Sequence, residues 1–118
     1  MEQITIEFVN DTPDRIYPAY TLPRGWIIDR PPSAVPPGGT TPVITVGVDP
    51  NIDAAPEPFV VRYGKDDPPD NGVEIKIVYH AQPYDFKKDG GGGLKATFSQ
   101  RDTEGGLHVH TTTIMPKG

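Results

Sequence analysis

Apolar side chains along this chain recur at every second position. Ile4, Ile6 and Phe8 alternate with Thr5 and Glu7, and the run closes at Asn10-Asp11-Thr12-Pro13. Ile44, Val46 and Val48 alternate with Thr45 and Gly47 and stop at Asp49-Pro50-Asn51. Phe59, Val61 and Tyr63 alternate with Val60 and Arg62 up to Gly64. Val73, Ile75, Ile77 and Tyr79 alternate with Glu74, Lys76, Val78 and His80. Leu94, Ala96 and Phe98 alternate with Lys95, Thr97 and Ser99. Leu107 and Val109 alternate with His108 and His110, and that run extends through three threonines to Ile114. A period of two puts successive side chains on opposite faces of a strand. The pattern therefore predicts at least six strands, each with one apolar and one polar face. Weaker patterns predict short strands at residues 15–21 and 25–29. No long window free of Pro and Gly carries a helical period.

Turn residues separate these runs at intervals of about eight to fourteen positions, the spacing of an antiparallel sandwich. The expectation is all-β: a single-domain antiparallel β-sandwich over residues 1–118. Pro and Gly make up 15 and 13 of 118 residues, near the level where disorder competes with folding. The densest stretch, PRGWIIDRPPSAVPPGG from Pro23 to Gly39, holds the lone tryptophan, Trp26. Regular strands flank it, so it reads as a short strand followed by rigid corners at which the chain changes sheets. Residues 65–72 read as a polar hairpin connection. The four glycines at 90–93 read as a loop tip or as backbone that approaches something closely.

Net charge is −5, and the densest basic pair is Lys87-Lys88, so no basic patch for nucleic acid is present. The absence of cysteine excludes disulfides, thiolate metal sites and thiol nucleophiles. No signal-peptide pattern opens the chain, and no apolar run is long enough for a membrane-spanning helix. The expectation is a protein made in the cytoplasm, then released or deposited as an inclusion, acting outside the cell.

Candidate chemistry is sparse. His108 and His110 share a strand face and could present two imidazoles to one ion, with His80 as a third ligand and Asp102 and Glu104 nearby. Two ligands alone do not make a site, and a solvated strand face is the simpler account of them. Ser33 and Ser99 sit in no nucleophile setting, and Asp11, Asp14, Asp66, Asp67 and Asp70 belong to turns. No catalytic or cofactor-binding set emerges, so a non-enzymatic role is expected. Tyr84 and Phe86, between Pro83 and Lys87 in an apparent loop, suit a half-wet interface. Lys87 and Lys88 beside them would each add about 1 kcal/mol at an anionic lipid surface. Trp26 fits either the core or such an interface.

The succession ITIEFVNDT, GWIIDRPPSAVPPGG, FVVRYG, VEIKIVYHAQPYDFKKDGG and LKATFSQRDTEGGLHVHTTTI spans about residues 3–114. In order and spacing it resembles the aegerolysin-like β-sandwich family, and most of all the small components of bacterial binary insecticidal crystal toxins. Asn10, Thr12, Gly25, Trp26, Tyr63, Gly64 and Pro83 match the family pattern, mostly as turn, core and strand-end positions. The resemblance implies a membrane-active toxin component that binds a target-cell lipid or receptor. It also implies a larger protein partner in pore formation, with self-association a further option. Fungal relatives are rich in Trp, whereas Trp26 stands alone here. The competing reading is a lectin-like module that pairs an exposed aromatic with the Asp and Asn side chains of residues 66–71.

Overall fold

The computed structural model describes residues 3–49, 51, 57–78, 85–89 and 92–117, with backbone alone for 78 and 85–89. Among these residues there is no helix, and the alternating runs all become strands. In chain order they are β1 (Gln3–Asn10), β2 (Tyr17–Thr21), β3 (Trp26–Ile28), β4 (Ile44–Val48) and β5 (Phe59–Gly64). There follow β6 (Val73–Val78), β7 (Asp85–Asp89), β8 (Leu94–Asp102) and β9 (His108–Pro116). They form a five-stranded sheet, β3-β4-β1-β9-β8, and a four-stranded sheet, β2-β5-β6-β7. The class is all-β and sandwich-like.

Most of the apolar half of these alternations lies between the sheets, but Phe98 of β8 and Leu107 just before β9 are exposed, against the pattern. Ile4, Ile6, Phe8, Ile44, Val46, Val48, Leu94, Ala96 and Ile114 come from one sheet, and Phe59, Val61, Tyr63, Val73, Ile75 and Ile77 from the other. Tilted ring pairs bridge the layers, with centroids 5.0 Å apart for Phe8–Tyr63 and 6.0 Å for Trp26–Phe59. Each such buried side chain contributes about 1.5–3 kcal/mol relative to exposure.

Three expectations need correction. The sheets are not wholly antiparallel: β1 runs parallel to β9, from Thr5 opposite Val109 to Asn10 opposite Ile114. Every other strand pairing among the described residues is antiparallel. A parallel pair needs a long crossover, and strand periodicity carries no information about which distant strands meet. Residues 85–89 are not a loop but the edge strand β7, which pairs with β6. Their sequence, Asp-Phe-Lys-Lys-Asp, carries the charge typical of an edge guarded against unwanted pairing.

Nor does the proline-rich segment carry the chain between sheets. It leaves β3 and returns to β4, its neighbour in the same sheet. On the way Val35 exchanges both backbone hydrogen bonds with Ile16, at 2.9 and 3.0 Å. The Gly38 N–H donates to Asn10 O and the Asn10 N–H to Gly39 O, both at 2.9 Å, and the Thr41 N–H reaches Phe8 O. The excursion thus ties the end of β1 and the approach to β2 into one corner, with Val35 buried beneath it.

The β5–β6 connection shows why glycine ends β5 and precedes β6. A Cβ at Gly64 would lie 2.3 Å from Asn71 O, and one at Gly72 would lie 2.0 Å from Tyr63 O. A Cβ at Gly92 would meet the same Asn71–Gly72 backbone at 3.3–3.4 Å. Of the two readings of the glycine run, close backbone approach holds at Gly92.

Candidate functional site

The alternation that fills the core also furnishes the opposite face. With Phe59, Val61 and Tyr63 inward, Val60 and Arg62 of β5 point outward, and so do Glu74 and Lys76 of β6. Thr21 stands opposite Val60, and Ala19 opposite Arg62, on edge strand β2. Thr21, Val60, Glu74 and Lys76, together with Pro23, Glu57 and Pro58, line a concavity of about 560 Å³. A smaller lobe of about 170 Å³ adjoins it, sharing Thr21, Val60 and Glu74 and adding Ala19, Tyr20 and Arg62. Arg62 and Glu74 face each other in register and form an ion pair, with Arg62 Nε donating to Glu74 Oε1 at 3.1 Å. Tyr20 is 42 % exposed, its ring edge-on to Phe59 at 6.2 Å, and Leu22 beyond it is 40 % exposed.

Trp26 holds one wall of this groove from behind. Its side chain is only 5 % exposed, so the indole belongs to the core and is not presented at an interface. The indole N–H donates to Glu57 O at 2.6 Å, which fixes the backbone of a groove-lining residue. The neighbouring strand end is secured by Asp49 N–H donating to Gly25 O at 2.8 Å.

The other family-pattern residues are also architectural where they are described. Asn10 is fully buried and uses its whole amide: Nδ2 donates to Asp14 O and Val35 O, while Oδ1 accepts from the Thr12 N–H and hydroxyl. A buried amide with every group satisfied is stabilising, whereas a half-satisfied one would not be. Tyr63 is fully buried, and its hydroxyl donates to Ser33 O at 2.8 Å. Burial pushes that phenol well above its ordinary pKa.

No family model matches the chain, and no curated protein matches it.

The remaining candidates fall in different places. Phe86, Lys87 and Lys88 lie in β7, where Lys87 is in register with Lys76, Lys88 with Ile75 and Phe86 with Ile77. Tyr84, Pro83 and His80 lie outside the described residues. His108 and His110 do share a face of β9, and His108 Nδ1 lies 2.5 Å from Asp102 Oδ1 across the hairpin. That hydrogen bond holds the Asp102 carboxyl below its ordinary range. Burial, and secondarily the charge of His108, lowers the pKa of His110. Among the described residues no three His, Cys, Asp or Glu side chains are placed to hold a metal ion.

One polar cluster has no counterpart among the sequence-derived candidates. Glu7, on the outward face of β1, is only 5 % exposed. Arg101 of β8 grips it with two hydrogen bonds, Nε to Oε2 and Nη2 to Oε1, both 2.8 Å, and the Thr111 hydroxyl of β9 donates to Oε2 at 2.7 Å. The Arg101 hydrogen bonds hold the carboxyl below the ordinary range, against the opposing effect of burial, and Thr111 adds to the lowering. The three side chains tie three adjacent strands across the outside of the sheet. Val109, opposite both Thr5 and Arg101, is fully buried there although it stands outside the main core.

Proposed function

We propose that this chain is the recognition component of a membrane-active toxin pair. It binds the surface of a target cell and recruits a larger protein that completes a pore. The observation that supports the reading is the groove on the outer face of the four-stranded sheet, lined from three strands. Its volume lies within the roughly 300–1,000 Å³ usual for ligand sites. It rests on a hydrogen-bonded sheet, the kind of rigid support that keeps binding groups in place. The strand succession that resembles the aegerolysin-like family supplies the toxin context, the larger partner and the membrane as target.

Binding to insect midgut membrane vesicles and to protein-free liposomes tests the proposal. Saturable binding to the midgut vesicles, reduced by substitutions at Thr21 or Arg62, is the expected result. Failure to bind any membrane preparation overturns it.

A further inference from the structure

We infer that the groove on the β2-β5-β6 face takes a neutral saccharide, so that the cell-surface ligand is a glycan and not a charged lipid head group. This rests on the reading of the groove as the recognition surface. Among the described residues the charge of the lining is balanced: Glu57 and Glu74 against Arg62 and Lys76, two of each sign. An anionic or cationic ligand calls for a surplus of the opposite charge, as in phosphate sites built from unopposed Arg and Lys.

The pairing within the groove favours the same ligand chemistry. Arg62 and Glu74 neutralise each other, with both guanidinium contacts on Oε1. Arg carries five N–H donors and a carboxylate about four acceptor positions. The pair therefore sets donors and acceptors side by side in a fixed geometry. Adjacent sugar hydroxyls, each donor and acceptor at once, match that arrangement. The Thr21 hydroxyl extends the row onto β2.

Between the polar groups the lining is apolar: Val60 at the centre, Pro23 and Pro58 at one end, Ala19 at the other. A pyranose has a C–H face that packs on such a surface. Among the described residues no set of aromatic rings forms the cage that a quaternary ammonium group requires.

The full-length chain on an array of neutral, sialylated and sulfated glycans provides the test. A neutral glycan should bind, free sugar should compete, and affinity should change less than about twofold up to about 0.5 M salt, since no net charge is neutralised. Glu74→Gln, Arg62→Met and Thr21→Val should each weaken binding by about tenfold or more. The melting temperature and the near-ultraviolet signal of Trp26 should stay near wild type, because these three side chains lie outside the main core. Binding confined to acidic glycans, or neutral-glycan binding untouched by these substitutions, overturns the inference. Midgut vesicles treated with periodate separate the two levels. Binding that survives oxidation of the sugars sinks the saccharide while sparing cell-surface recognition, and no binding before treatment sinks both. Loss on periodate together with loss on removal of glycolipid assigns the sugar to lipid; loss on periodate alone assigns it to glycoprotein. Either result supports the inference.

Discussion

Two residues show how far a single side chain can differ from its first description. Trp26 sits in the least regular segment of the chain, yet it is core, and its N–H fixes Glu57 in the wall of the groove. Trp26→Phe keeps most of the packing and deletes that hydrogen bond. We expect a loss of about 1–2 kcal/mol in urea unfolding and weaker ligand binding. Glu7 reads as the polar half of an alternation, but it is a buried carboxylate because its partner Arg101 lies 94 positions away. Nothing local announces such a pair. The native-state pKa of Glu7 is depressed, so its contribution to stability is complete above the unfolded value of about 4.3 and declines as pH falls through the native value. Glu7→Gln should therefore be less stable than wild type at neutral pH and show a shallower loss between about pH 5 and pH 3 in urea midpoints. His110 works in the same direction at higher pH. Its native pKa is lowered, so the unfolded chain takes up the proton first as pH falls below about 6.5. Stability should drop from there toward the native pKa, and comparison of His110→Gln with wild type at pH 7.5 and about 5.5 isolates that share.

At the level of elements, the strands with strict alternation were legible because one face of each must be apolar to enter the core. β7 was not, because an edge strand pairs on one side only and can carry Asp-Phe-Lys-Lys-Asp without alternation. The parallel neighbours β1 and β9 were equally hidden, since a period of two is common to parallel and antiparallel strands. The groove was hidden for a further reason: its residues run from Thr21 to Lys76 and converge only when β2, β5 and β6 pair. The β5–β6 connection yields a sharp contrast between two glycines. Gly72→Ala drives a methyl group into the Tyr63 carbonyl and should cost about 3 kcal/mol or more. Gly105→Ala, whose nearest neighbour would be Thr103 Oγ1 at 3.9 Å, should leave the denaturation midpoint within error of wild type.

At the scale of the whole molecule, the chain closes its larger sheet by laying its last strand beside its first. Glu7 and Thr111, hydrogen-bonded across that seam, are 104 residues apart in the chain. The parallel direction of the pair has a mechanical consequence. A tether at Gln3 and another at Pro116 pull β1 and β9 along their lengths in opposite senses, which loads the hydrogen bonds between them together, in shear. Tethers at Leu94 and Pro116, which face each other in the β8–β9 hairpin, instead peel its bonds apart one by one. Single-molecule extension should show a markedly higher rupture force for the first attachment than for the second, with lifetimes under load set by the unfolding barrier. Load applied between Gln3 and Pro116 is thus borne by the whole β1–β9 seam at once, along the most resistant axis of that sheet.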